Sequence, residues 1–260
     1  MKIAIFDSGL GGITVLSEAI QKLPKEDFVY FADTLHVPYG TKSKDEVKAF
    51  VRESVETIIQ EDVKALVIAC NTATSIAVND LRSSYEIPII GMEPAVKPAV
   101  EMNRVTGKRV LVFATPLTLS QSKYSELISR VDDHHIVDSL PLPELVQYCE
   151  QLNFDRATME AYFQVKLADF DLSRYGTVVL GCTHYPFYRH ILKELLPDHI
   201  QIVDGGEGTV KRLQQILQER NLLNPHGQAA TKMMCSSQDP AYVHKMEQAL
   251  QFMLKGRITS

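Results

Sequence analysis

The sequence predicts an α/β protein of two similar parallel-sheet domains with flanking helices, pseudo-symmetric, with a site in the interdomain cleft. Three observations carry that prediction. Short apolar runs recur along the chain with amphipathic helical patterns between most of them, the alternation expected of parallel sheets covered by helices. Two of these runs end in a cysteine followed by small polar residues: Val67-Ile68-Ala69-Cys70-Asn71-Thr72-Ala73 and Val179-Leu180-Gly181-Cys182-Thr183-His184-Tyr185. Each is preceded, at nearly the same separation, by an apolar run ending in a polar turn, one at Asp7-Ser8-Gly9 and the other at Ala114-Thr115-Pro116. Both cysteines are therefore expected at the carboxyl edge of a parallel sheet, where such sheets bind ligands.

Taken in order, strand-like runs fall at residues 2–6, 28–31, 65–69, 87–90, 109–114, 135–139, 177–181 and 200–203. The helix expected over residues 44–60 illustrates the connections. Val47, Phe50, Val51, Val55 and Ile58 recur at three- and four-residue steps behind Ser43, a natural N-cap. Pro94 and Pro98 interrupt the pattern over residues 91–98 and mark the break between halves. After residue 204 come a helix over residues 207–221, a strand over 231–235 and an amphipathic helix over 240–254.

Composition narrows the function. A chain of 260 residues can bury a full core. Its net charge of −5, with no lysine or arginine stripe, argues against nucleic acid and for a small-molecule partner. Four cysteines and no charged-then-apolar leader at Met1-Lys2-Ile3 read as free thiols in a reducing cytoplasm. No apolar run approaches the roughly 18 residues of a membrane span.

Two thiols facing each other across a cleft suit a reaction in which a proton leaves one face of a carbon and another arrives on the opposite face. Thiolate and thiol are a competent base and acid when their neighbours tune them, and Asp7 and His184 are the obvious tuners. Cys149 and Cys235 read instead as small core residues. The first shares a helical stripe with Leu145, Tyr148 and Leu152, and the second sits beside Met233-Met234. Asp7 alone could be an Asx turn capping the next helix. Cys182-x-His184 lacks the second ligand pair of a structural zinc, so no metal is expected. Gly9-Leu10-Gly11-Gly12, with Asp33 downstream, imitates a dinucleotide fingerprint, but Thr14 stands where the third glycine belongs. Asn71, Thr72, Thr118 and Thr183 are expected near helix starts, where N–H groups and short side chains hold carboxylates.

Four motifs together resemble the glutamate racemase family: Asp7-Ser8-Gly9-Leu10-Gly11-Gly12, Asp33 with Pro38-Tyr39-Gly40-Thr41-Lys42-Ser43, Ala69-Cys70-Asn71-Thr72-Ala73-Thr74, and Gly181-Cys182-Thr183-His184-Tyr185-Pro186. The resemblance runs from Met1 to about Gly208. It implies cofactor-independent interconversion of L- and D-glutamate, with Cys70 taking the α-proton of D-glutamate, Cys182 that of L-glutamate, and the product entering peptidoglycan synthesis. It implies Asp7 and His184 as the companions of the two thiols. Asp7 and His184 themselves, with Ser8, Pro38, Tyr39, Gly40, Asn71, Thr72, Thr118 and Thr183, become substrate contacts. It also implies a discontinuous first domain of residues 1–95 plus 208–260, a second of 96–207, and room for a homodimer. An aspartate racemase and a non-catalytic gyrase inhibitor are the alternatives.

Two departures stand out. Ala114-Thr115 replaces the usual Gly-Thr, and the acidic residue that normally supports the histidine is missing from the run Pro143-Glu144-Leu145-Val146-Gln147-Tyr148. Glu144 or Glu150 stands in for it, or the position has lost its charge.

Overall fold

The computed structural model describes residues 1–258, with the helical backbone alone for residues 256–258; residues 259 and 260 of the expected first domain lie outside the described residues. In chain order the elements are β1 (Lys2–Asp7), α1 (Ile13–Lys22), β2 (Phe28–Ala32), α2 (Lys44–Ile59), β3 (Val63–Ile68), α3 (Asn71–Ser84), β4 (Ile89–Gly91), α4 (Val96–Asn103), β5 (Arg109–Ala114) and α5 (Pro116–Ser120). They continue with α6 (Ser122–Val131), β6 (Val137–Pro141), α7 (Glu144–Glu150), α8 (Arg156–Leu167), β7 (Tyr175–Leu180), α9 (Arg189–Leu195), β8 (Gln201–Asp204), α10 (Gly206–Glu219), β9 (Thr231–Cys235) and α11 (Pro240–Ile258).

The strands form two sheets, ordered β4-β3-β1-β2-β9 and β6-β5-β7-β8, in which every pairing is parallel. Read backwards, the second sheet is β8-β7-β5-β6, the same winding as β4-β3-β1-β2. Even the register irregularity repeats, between Lys2 and Ile3 in one sheet and between Arg109 and Val110 in the other. The pseudo-repeat is thus a repeat of topology. In each half the chain leaves the first strand to one side and returns to the other, creating a switch point between β1 and β3 and another between β5 and β7.

Central strands are apolar on both faces because helices cover both. Ile3, Ala4, Ile5 and Phe6 of β1 are fully buried, as are Val110, Leu111, Val112 and Phe113 of β5. Burying each large side chain contributes roughly 1.5–3 kcal/mol. One core cluster contains Ile3 and Ile5 from the first sheet and Leu111, Phe113 and Leu180 from the second, so the halves share apolar packing. Ser43 caps α2 in a capping box: its hydroxyl accepts from the Glu46 N–H at 3.3 Å, and the Glu46 carboxylate accepts from the Ser43 N–H at 2.9 Å.

Boundaries moved where local groups overrode periodicity. β6 starts at Val137 rather than residue 135, because the Asp132 carboxylate takes the N–H groups of Ile136 and Val137, each at 2.9 Å, and His135 has a φ of 52°. β4 starts at Ile89 rather than residue 87; Pro88 has no N–H to give to a ladder. No helix among the described residues is long and apolar enough to cross a membrane.

Candidate active site

Four chain segments leave the carboxyl ends of β1, β3, β5 and β7 at the two switch points. Ser8 follows β1, Cys70 and Asn71 follow β3, Thr115 follows β5, and Cys182, Thr183 and His184 follow β7. All of these line one small cavity of about 10 Å3, together with Thr72, the loop Pro38-Tyr39-Gly40, and Val146 of α7. A larger groove of about 1740 Å3 runs behind Cys182 past Arg82, Glu93 and Arg189, but reaches neither Cys70 nor Ser8. The small cavity is the one that holds both thiols. Among the described residues its walls carry no lysine or arginine, so anionic groups would meet N–H, hydroxyl, amide and imidazole donors.

Cys70 is the N-cap of α3, its sulfur accepting from the Ala73 N–H at 3.4 Å while its thiol reaches Ser8 Oγ at 3.8 Å. Burial, and then the nearby Asp7 carboxylate, push the thiol well above its ordinary range, so Cys70 rests in the proton-donor form. Asp7 lies behind Ser8, fully buried, with its carboxylate accepting from the Gly9 N–H at 3.0 Å and the Thr183 hydroxyl at 3.0 Å. Burial raises Asp7 to about 6, opposed by the charge of His184 and by those two hydrogen bonds.

Beyond the end of β7, His184 Nδ1 is 3.7 Å from Cys182 Sγ, and Nε2 is 2.7 Å from Glu150 Oε1. Glu150 supplies the acidic partner that sequence left open. Glu144, at the other end of α7, instead accepts from the Tyr162 hydroxyl and Lys166 Nζ, each at 2.9 Å. Burial works against ionised Glu150, but hydrogen bonds from His184, Tyr242 and the Leu10 N–H hold it below the usual carboxylate range. An ionised carboxylate only accepts, so Nε2 carries the proton. Burial likewise works against charged His184, yet its hydrogen bonds to Cys182 and Glu150 raise it well above the usual imidazole range.

The glycine-rich turn makes this approach sterically feasible. A Cβ on Gly9 would lie 2.0 Å from Glu150 Oε1, and one on Gly11 would lie 2.3 Å from the Thr183 hydroxyl and 2.5 Å from His184 Nδ1. In the turn that imitates a dinucleotide loop, Gly9 and Gly11 thus leave room for side chains of the other half.

Asn71 lines the cavity with both amide atoms buried and, among the described residues, without a hydrogen-bond partner. Leaving them so costs about 1–3 kcal/mol per group. Thr72 Oγ1 lies 3.0 Å from Thr115 Oγ1 and 2.9 Å from Thr118 Oγ1, forming a hydroxyl cluster between the halves. Thr115 is in the cavity wall and Thr118 stands behind it. Asn71 and Thr72 open α3, whereas Thr183 precedes only a 3-10 turn, Tyr185–Tyr188. Sequence reasoning missed Thr115 as a lining residue, although Thr115-Pro116 carries a helix-start signature. His36 stacks on Phe50 and bonds Asp33, which also accepts from the Tyr39 hydroxyl at 2.6 Å. Cys149 is fully buried and Cys235 nearly so, both away from the cavity walls.

A family model described as Asp/Glu/Hydantoin racemase matches residues 12–213. A glutamate racemase from Halothermothrix orenii is 55% identical over 217 residues, covering 84% of this chain and 85% of that protein. A crystal structure of a glutamate racemase isoform from Bacillus anthracis superposes with a TM-score of 0.84 at 31% identity, covering 96% of this chain and 94% of that one. The Escherichia coli glutamate racemase, solved with L-glutamate and the activator UDP-MurNAc-ala, gives a TM-score of 0.82 at 27% identity over 96% of this chain and 95% of that one.

Proposed function

The chain belongs to the Asp/Glu/Hydantoin racemase family, and from that premise we propose that it interconverts L- and D-glutamate through two cysteines, one on each face of the α-carbon. The observation that carries the reading is the single cavity lined by Cys70 and Cys182, each with its own titratable companion, Asp7 and His184.

With L-glutamate bound, the Cys182 thiolate removes the α-proton and the electron pair stays on carbon, delocalised into the adjacent carboxylate. Cys70 then delivers its thiol proton to the opposite face, giving D-glutamate, a Cys182 thiol and a Cys70 thiolate. The reverse direction exchanges the roles. No cofactor enters the scheme, so positioning and electrostatics must stabilise the carbanion. The unpaired amide of Asn71, the Thr72 and Thr183 hydroxyls, Thr118 behind them and the N-terminus of α3 support binding of the carboxylates and ammonium. Pro38, Tyr39, Gly40 and Ser8 close over the substrate. We assign residues 1–95 plus 208–260 and residues 96–207 as the two domains, place the enzyme in the cytoplasm, link its D-glutamate to peptidoglycan synthesis, and leave a homodimer as its candidate assembly.

The test supplies one enantiomer in deuterated water and samples early. Two bases predict product almost fully deuterated at the α-carbon and recovered substrate that stays protiated, since the delivering thiol has exchanged with solvent. Substantial protiated product from either enantiomer would mean one mobile base and would overturn the assignment.

A further inference from the structure

We propose that Tyr242, on the C-terminal helix, is a positioning residue that acts through Glu150 to hold the His184 imidazole against Cys182. The proposal rests on the racemase reading for its kinetic arm. Glu150 closes α7, yet its carboxylate collects donors from three other segments. Oε1 accepts from the Leu10 N–H at 2.7 Å in the β1–α1 turn and from His184 Nε2 at 2.7 Å, while Oε2 accepts from the Tyr242 hydroxyl. Lys245, one turn further along α11, donates to the Glu150 carbonyl at 2.8 Å. It thereby occupies the C-terminal end of α7, where a cation is favoured.

α11 is fixed in place independently of these contacts. Met246 and Ala249 are buried, and Val243, Leu250 and Met253 pack on the same core. The tail helix is therefore a rigid support, and Tyr242 is its only described side chain that reaches the carboxylate of Glu150.

A carboxylate on two bonded C–O arms can rotate about its last torsion, exchanging which oxygen faces the histidine. Tyr242 pins Oε2, which leaves Oε1 aimed at Nε2. Nε2 then keeps its proton and Nδ1 faces the sulfur, the arrangement a proton relay needs. Without the hydroxyl, Glu150 retains its charge and its bonds to Leu10 and His184 but loses the donor that holds Oε2.

Tyr242→Phe keeps the ring and removes only the hydroxyl. The expected result is a fall in kcat of about tenfold, the scale of one hydrogen bond to a charged group, with KM for glutamate unchanged. In a Glu150→Gln background the same substitution should add little, because its route to His184 is already altered. His244→Ala, on an exposed part of the same helix, serves as the control with kcat unchanged. Independently of turnover, the 15N shifts of the His184 ring should move in Tyr242→Phe and stay put in His244→Ala. Wild-type protein without racemase activity would overturn the functional reading and leave the ring shifts to decide this one. Active wild-type protein with unchanged kcat and unmoved shifts in Tyr242→Phe would overturn the positioning role. So would full additivity of the two substitutions, or a loss confined to KM and thermal stability.

Discussion

Replacing Asp7 by asparagine should make the protein more stable and less active, and the stability gain should depend on pH in a defined way. Asp7 is fully buried and its carboxyl is raised from 3.8 to about 6. Between those values the folded protein holds a proton that the unfolded chain has released, so stability falls as pH rises through this window. Above about 6 the folded state carries the whole cost of a buried charge, roughly 3 kcal/mol at 1.36 kcal/mol per pKa unit. Below 3.8 both states are protonated and the cost disappears. Asparagine keeps an acceptor for the Gly9 N–H and loses part of the Thr183 contact, worth about 1 kcal/mol. The net gain near pH 7.5 is therefore about 2 kcal/mol, or a rise in Tm of roughly 4–8 °C for a chain of this size. Thermal melts of both proteins near pH 7.5 and near pH 4 measure it. A variant no more stable at the higher pH, or a difference equal at both, would refute the assignment of a buried, raised carboxyl. Loss of turnover should accompany the gain, the exchange expected where a strained charge serves chemistry.

The other expectations concern the walls of the cavity. Cys70→Ala and Cys182→Ala should each abolish racemisation with the circular dichroism spectrum intact, whereas Cys149→Ala should keep turnover and cost about 1 kcal/mol of stability; turnover in either of the first two breaks the two-thiol scheme. Gly9→Ala drives a methyl into Glu150, so kcat should fall at least as far as in Glu150→Gln, and a normal kcat would show that the turn tolerates the side chain. Asn71→Ala should raise KM about tenfold, the equivalent of 1.4 kcal/mol, and an unchanged KM would remove the amide from the binding site. Activity should survive exhaustive dialysis and chelators, and stop on thiol alkylation unless substrate protects; a requirement for an added metal or pyridoxal phosphate would contradict the scheme.

The fold class was legible because parallel sheets leave a strong trace: β1 and β5 are apolar on both faces, and each is followed by a polar turn at a ligand edge. The ends of β3 and β7 advertised their cysteines for the same reason. What stayed hidden was made by long-range contact. Glu144 and Glu150 sit at opposite ends of α7, and at 100° per residue they point about 120° apart, so only the packing of α7 decides which meets His184. Tyr242 reaches Glu150 from a separate helix, a contact with no local signature. In sequence Thr115 is only part of the polar turn that ends an apolar run, and its hydroxyl meets Thr72 through a contact between the two halves. The start of β6 slipped because a carboxylate, Asp132, outbid the ladder for two N–H groups.

The two cysteines arise from a repeated topology, yet their settings are not equivalent. Cys70 caps a 14-residue helix beside a buried carboxyl, while Cys182 precedes a four-residue 3-10 turn and touches an imidazole. Mirror-image substrates have equal free energies in water, so the ratio of their kcat/KM values must be one however lopsided the enzyme. Structural asymmetry therefore cannot set a preferred direction. It can only place the two Michaelis complexes at different depths, so that the enantiomer held more tightly gains a lower KM and surrenders kcat in the same proportion. A cell that draws off one enantiomer determines the flux, and the unequal walls determine at what concentration each hand of the substrate saturates the site.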